Sequence, residues 1–297
     1  MSEVPSNLSE LVAPFPEPDF LELMRSRELK LLHGTGASRY GNVLGWDALR
    51  GLIERGEHPR GLRDFRLVRE SVNAPPERWL TRSGPENRNR VDIGKVEDFL
   101  THGFSLVITP IDRFVPAFAA LCDSMRGQLS ERTKVGVVVT TGTAGAFRLH
   151  YDPEDLIILQ VEGTKRWRIY GPAVRYPLDA MPKPPQPPEL DPIFDEILRP
   201  GDLLYVPGGN WHHCENGPNR SVHLGVFFIA PTPWHALEAL TRQLLSEEKF
   251  RRPLTRLETA SELAALETEL KNSLVEKIGQ LSLGEFRDAW ARRRNIQ

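Results

Sequence analysis

The sequence predicts a mainly β core flanked by α-helices. Three observations carry this. KVGVVVT at 134–140 is a β-branched run, and 147–170 and 197–229 are rich in strand-like segments bounded by Gly and Pro turns. The last part of the chain instead repeats leucines at helical spacing.

Each element has its own reason. Residues 1–40 open proline-rich and then carry one expected helix over 20–32. Residues 41–100 are polar and broken by Gly and Pro, so short elements without an independent core are expected there. In VDIGKVEDFLTHG, Val91, Ile93, Val96, Phe99 and Leu100 fall near helical spacing, and Gly103 reads as the stop. SLVITP follows as a strand, 114–125 as a helix and 134–140 as a strand. Seven prolines between Pro177 and Pro192 exclude a helix or a central strand, leaving a long loop. It reads equally as a passive excursion or as a wall beside a site.

At the C-terminal end, Trp234, Leu237, Leu240, Leu244 and Leu245 form one stripe. Leu263, Leu266, Leu270, Leu274 and Ile278 form a second, and Ser282 with Glu285 starts a third helix. Such stripes need a partner, either the β-rich part or a second copy of the chain.

Bulk properties narrow the function. The 297 residues carry a formal charge of −2 with 26% charged residues, which argues against a dedicated nucleic-acid binder. Arg60, Arg63, Arg66 and Arg69 read as a solvated face. Cys122 and Cys214 lie far apart, which excludes a disulfide framework or zinc ribbon and fits a reducing compartment. No secretory leader is visible, and no run approaches the roughly 18 apolar residues of a membrane span. A cytoplasmic protein is expected. A lone Gly34-x-Gly36, with no clear strand before it, is a poor phosphate loop.

The chemistry concentrates in FRLHYDPEDLIILQVEGTKRWRIYGP. His150 and Asp152 are two apart, so an extended backbone aims both to one side. LRPGDLLYVPGGNWHHCEN offers a third ligand. Pro200-Gly201-Asp202 is a turn, 203–207 a strand, and Gly208-Gly209-Asn210 a second turn before His212 and His213. Those two histidines point to opposite faces, so one of them is expected on the metal. Two histidines and a carboxylate, with open positions beside them, form the facial triad of non-haem Fe(II) oxygenases.

In KRWRIY, Lys165 shares the more apolar face with Trp167 and Ile169. A lysine there either meets an anion or sits exposed at the strand end. In SVHLGVFFI, Ser221 and His223 share a face; His223 reads as a fourth metal candidate or as a hydrogen-bonded pocket histidine.

These segments together resemble the bacterial cupin-like branch of the JmjC 2-oxoglutarate oxygenases, which includes ribosomal oxygenases that hydroxylate protein side chains. The matching stretches are RVDIGKVEDFLTHGFSLVI, the His150-Tyr151-Asp152 motif with DLIILQVEGTKRW, PGDLLYVPGGNWHH and SVHLGV, in the family's order from about Arg90 to Ala230.

The resemblance implies a double-stranded β-helix, the cupin or JmjC jelly roll. It divides the chain into an N-terminal extension (1–90), a catalytic barrel (91–231) and a C-terminal helical, dimer-forming region (232–297). It puts Fe(II) on His150, Asp152 and His212, the last chosen for its Trp211-His212 setting. It puts the distal carboxylate of 2-oxoglutarate on Lys165, with Ser221 and His223 near this cosubstrate.

Two departures stand out. VGVVVT replaces the family's Asn and Tyr, so Thr140 or Thr141 takes over their hydrogen bonding, and the Gly-Gly-Asn turn replaces a basic or bulky one. The residues after the dimer helices are too few for a winged-helix module.

The expected reaction consumes 2-oxoglutarate and O₂, releases succinate and CO₂, and hydroxylates a protein or peptide side chain. An N-methyl demethylation begins the same way. Oxidation of a small molecule or biosynthetic peptide, and a non-catalytic cupin-type binding protein, stay open.

Overall fold

The computed structural model describes residues 4–34, 40, 43–56, 64–83, 88–143, 145–187, 191–256 and 259–292. They form two compact units, 1–125 with 133–229, and 126–132 with 230–297.

In chain order the first part holds α1 (Leu8–Val12), α2 (Glu17–Ser26), β1 (Lys30–Leu32), α3 (Trp46–Glu54), β2 (Phe65–Arg69), β3 (Val72–Asn73), β4 (Leu80–Ser83) and β5 (Arg88–Val91). Next come α4 (Ile93–Thr101), β6 (Ser105–Ile108), α5 (Pro116–Leu129), β7 (Arg132–Thr140), β8 (Asp155–Glu162) and β9 (Lys165–Pro172). Then follow β10 (Phe194–Leu198), β11 (Leu203–Val206), β12 (Asn210–Asn216) and β13 (Ser221–Ile229). The chain ends with α6 (Pro233–Leu244), α7 (Ala260–Gly279) and α8 (Leu283–Arg292).

The core is mainly β. One sheet of eight strands runs β1-β11-β8-β13-β7-β6-β2-β3, and a second of three runs β10-β9-β12. Leu156, Ile158, Leu204 and Val206 of the first sheet share one buried cluster with Trp167, Ile169 and Leu198 of the second. The two sheets therefore face each other, as in a jelly roll, without closing into a single hydrogen-bonded barrel. β8 lies between β11 and β13, with both faces covered, which explains why DLIILQVE is almost continuously apolar. β9, in the smaller sheet, keeps a strict alternation with Lys165, Trp167 and Ile169 inward and Arg166 outward.

Two local readings change. The helix expected over 20–32 ends at Ser26, because Arg27 takes a left-handed conformation (φ 58°). Leu31 and Leu32, expected on that helix, instead pair as strand with Leu204 and Leu203. Propensity yields here to a free sheet edge. The pairs β1–β11 and β2–β6 also build residues ahead of Arg90 into the main sheet. The helix over 93–101 matches its signals: Asp92 accepts the Lys95 N–H at 3.2 Å, and Gly103 follows in a left-handed conformation. Gly36, Arg60 and Arg63 lie outside the described residues.

In the second unit, α6 and α7 each open with a capping box, at Thr232/His235 and Thr259/Glu262. The Arg132 guanidinium lies 3.4 Å from the Trp290 ring centroid, and His235 packs on the same indole. The leucine stripes are only partly covered. Leu240, Leu244 and Leu266 are buried, whereas Trp234, Leu237, Leu245, Leu263 and Ile278 are exposed.

The turn between β11 and β12 explains its two glycines. A Cβ on Gly208 would meet the Pro153 carbonyl at 2.4 Å, and Gly209 holds φ +89° with the Val174 carbonyl 2.1 Å from any Cβ. Backbone approach this close leaves room only for glycine. Gly209→Ala should destabilise the fold by about 2 kcal/mol or more, measured by denaturant unfolding; unchanged stability would mean the turn relaxes freely.

Candidate metal and cosubstrate site

His150 and His212 come together through the backbone. The His150 N–H donates to the His212 carbonyl at 3.1 Å, and the His212 N–H returns the bond at 2.7 Å. Residues paired this way project side chains to the same face, and the two imidazole centroids lie 4.3 Å apart. Asp152 follows two residues after His150. Its backbone carbonyl accepts the Gly209 N–H at 2.8 Å, so the ligand-bearing segment is pinned to the glycine turn. The Asp152 carboxylate stands 3.7 Å from His212 Nε2. Ligand atoms of His150, Asp152 and His212 all lie within 4.8 Å of one another.

Each imidazole is prepared to coordinate. His150 Nδ1 meets the Arg148 carbonyl at 2.8 Å, and His212 Nδ1 meets the Asn210 carbonyl at 3.0 Å. A carbonyl only accepts, so Nδ1 carries the proton and Nε2 keeps its lone pair. Burial pushes the pKa of both down to about 4, helped at His150 by the nearby His212. Both rings are therefore neutral at neutral pH, the form that binds metal.

A network outside the cavity holds the glycine turn. The Asp155 carboxylate accepts from the Gly208 N–H (2.7 Å), from the Tyr205 hydroxyl (2.7 Å) and from Arg27 Nη1 (3.3 Å). Arg27 also donates to the Gly208 carbonyl at 2.5 Å. A residue just past α2 thus helps to position a strand that carries a candidate ligand.

The three groups line a cavity of about 540 Å³. Lys165, Trp167, Cys214 and His223 form part of its wall. Lys165 is 2% exposed. Its ammonium donates to Thr140 Oγ1 at 3.2 Å and meets His223 Nδ1 at 3.5 Å, but no carboxylate lies within ion-pair distance among the described residues. Burial lowers its pKa to about 8, and lowers that of His223 as well, so His223 accepts as a neutral ring. Thr140 Oγ1 also lies 3.0 Å from Ser105 Oγ. Cys214 is held as a neutral thiol, its pKa pushed up to about 12 by burial.

The structure brings His150, Asp152, His212, Lys165 and His223 around one space, and Thr140 reaches it only through its bond to the Lys165 ammonium. Ser221 stands apart: it bonds Gln160 Nε2 at 2.8 Å and does not line the cavity. Thr141 turns away too, its hydroxyl bonded to the Leu100 carbonyl. His213 lies on the opposite face of β12 from His212 and is half-buried. The proline-rich loop contributes Asp179 and Lys183 to the wall, and Gln186 ties it to the Leu149 carbonyl.

Sequence reasoning missed Arg66, Phe147, Trp167, Cys214 and Lys183 as cavity residues. Period-two alternation from Lys165 and His212 reaches Trp167 and Cys214. No local signal marks Arg66 or Lys183, which arrive from other elements.

Residues 108–235 match the JmjC domain family. Across 132 residues the chain is 34% identical to a bifunctional lysine-specific demethylase and histidyl-hydroxylase NO66 of Drosophila willistoni, covering 42% of this chain and 17% of that one. Across 262 residues it is 28% identical to ribosomal oxygenase 1 of Rattus norvegicus, covering 83% of this chain and 42% of that one. The chain thus spans less than half the length of these curated relatives. Its fold is that of Escherichia coli YcfD, a ribosomal oxygenase solved in complex with cobalt and 2-oxoglutarate. The TM-score is 0.56 at 21% identity, covering 89% of this chain and 66% of that one.

The buried ammonium has a measurable cost. Below pH about 8 Lys165 is charged in both folded and unfolded chains, and the folded chain bears the full desolvation penalty. The penalty fades as pH rises from there toward the ordinary lysine range, where the unfolded chain still binds the proton. Lys165→Met should therefore stabilise the unliganded chain at pH 7 by about 1–4 kcal/mol. The gap from the parent should narrow from pH 8 upward in urea-unfolding curves; a destabilised variant at pH 7 would refute the unpaired-charge account.

Proposed function

We propose that this chain is an Fe(II)- and 2-oxoglutarate-dependent oxygenase that hydroxylates a protein or peptide side chain. One observation carries the reading: the His150, Asp152 and His212 ligand atoms converge on the wall of a cavity that also holds a buried ammonium.

The donor set fits the ion. Two neutral imidazoles and one carboxylate are the facial set that leaves positions free for a chelating cosubstrate and O₂. The cavity fits the cosubstrate. Lys165 is a buried cation without a carboxylate among the described residues, and Trp167 Nε1 is a buried donor with no acceptor. Both supply what an anionic ligand requires. In this reading His150, Asp152 and His212 hold Fe(II), and Lys165 pairs with the distal carboxylate of 2-oxoglutarate. Thr140 and His223 orient that ammonium.

Iron and 2-oxoglutarate, when bound, would let O₂, the oxidant, couple oxidation of 2-oxoglutarate to succinate and CO₂ with hydroxylation of a C–H bond. The chain's own residues do the rest. They fix the donors through backbone bonds, keep both imidazoles neutral, and line the space beside the metal with Trp167, Phe147 and Phe227 to limit water. The Asp179–Lys183 part of the proline-rich loop borders the entrance for substrate.

The protein-substrate part rests on a relative's name, since lysine-specific demethylase and histidyl-hydroxylase both name amino-acid residues as targets. A homodimer belongs to the same reading, supported by the exposed Leu263, Ile278 and Leu283 of α7 and α8. No helix among the described residues is long and apolar enough to cross a membrane.

Asp152→Ala should reduce Fe(II)-dependent succinate release to background; full turnover would remove Asp152 from the triad. Lys165→Ala should raise the 2-oxoglutarate concentration needed for half-maximal turnover by about tenfold or more. An unchanged requirement would assign the anchor to another residue. The encompassing test is to incubate iron-loaded protein with 2-oxoglutarate and cell extract, then search by mass spectrometry for peptides that gain one oxygen atom.

A further inference from the structure

The cavity has a charge pattern that the metal and cosubstrate do not absorb. Three cations line it apart from Lys165: Arg66, Lys134 and Lys183. Lys134 is neutralised by Glu154 at 2.7 Å. Arg66 from β2 and Lys183 from the proline-rich loop have no carboxylate within ion-pair distance among the described residues. Asp179, on the same loop and the same wall, pairs with neither of them.

Arg66 is also oriented. Its guanidinium carbon lies 5.9 Å from the Phe147 ring centroid, and that ring packs against His150 with centroids 5.2 Å apart. A guanidinium resting on an aromatic face keeps its planar fork directed outward. Burial against the wall lowers the Arg66 pKa, with the Asp152 charge opposing, which sets this cation close to the triad. Lys183 is close as well, since its charge acts on His150. Two accessible cations on separate elements thus flank the metal-binding residues, each within electrostatic reach of one of them.

We propose that Arg66 and Lys183 form a substrate subsite for a carboxylate carried near the group to be oxidised. The inference rests on the oxygenase reading and narrows its substrate class. The arginine fork binds a carboxylate bidentately, and the lysine adds a second charge from the loop. An acidic peptide segment fits this subsite. A basic segment would bring like charge against both cations; of the wall's carboxylates, Glu154 is paired with Lys134 and Asp152 belongs to the triad, which leaves Asp179 to compensate.

The test uses the full chain loaded with Co(II) and 2-oxoglutarate. It is equilibrated with a pool of short random peptides, and the bound fraction is sequenced by mass spectrometry. Asp and Glu should be enriched about tenfold over Lys and Arg. The enrichment should vanish in the double variant Arg66→Gln, Lys183→Gln and reverse in Arg66→Glu, Lys183→Glu. Both positions are exposed, so folding should tolerate either change.

A parallel arm follows binding of citrate, malate and N-acetylglutamate by saturation-transfer NMR. Binding there that depends on Arg66 and Lys183, with no peptide enrichment, supports the subsite with a small-molecule source. Enrichment of basic peptides overturns the proposal, as does a carboxylate preference that survives the double variant, or an absence of preference in both arms. Failure to load Co(II) and 2-oxoglutarate would sink the oxygenase reading instead. The same two arms on the unloaded chain then decide the subsite separately.

Discussion

Two backbone hydrogen bonds, exchanged between His150 and His212, carry the rest of the site. They join a segment before β8 to the strand after the Gly208-Gly209 turn, and by strand geometry they put both imidazoles on one side. Everything nearby maintains that register. The Gly209 N–H holds the Asp152 carbonyl, Asp155 caps the Gly208 N–H, and Arg27 reaches the same turn. A Cβ at Gly208 would push the two segments apart, and one at Gly209 would run into the Val174 carbonyl. Coordination geometry here is therefore a property of main-chain packing before it is a property of side chains.

The second constraint is electrostatic, and it opposes stability. The cavity buries a lysine ammonium, two imidazoles with pKa about 4 and a thiol with pKa about 12. Burial drives every one of these shifts, and each favours the uncharged form. For the histidines the neutral ring is the form that can bind a metal. For Lys165 the burial is a cost without a compensating carboxylate among the described residues. Such a cavity is less stable empty than a hydrophobic core of the same shape, and in the proposed function a dicarboxylate would offset that cost.

Parts of this were legible in the sequence because their geometry is periodic. The i, i+2 spacing of His150 and Asp152, and the alternation that turns Lys165 inward with Trp167, follow from the two-residue repeat of extended chain. That repeat also separates His212 from His213. The helix at 93–101 announced itself through Asp92 and Gly103. The N-terminal region was less legible. Leu31 and Leu32 fit a helix by pattern, yet they complete a sheet edge provided by β11, far along the chain. Ser221 shares a face with His223 by alternation, but Gln160 holds its hydroxyl away from the cavity, a contact that no local pattern contains.

The sequence by itself determined which residues have the chemistry of a metal site and which face of each strand they occupy, because strand alternation is a local, steric property of the backbone. It also determined where the chain turns, since Gly and Pro restrict or release φ without help from neighbours. Only the tertiary structure decided that His150 and His212 share a bridge, that Asp155 and Arg27 brace the turn, and that Arg66 and Lys183 meet at one cavity. Those are long-range pairings. They are set by how buried faces and unpaired backbone groups are satisfied across the whole fold, and that information is spread over every strand.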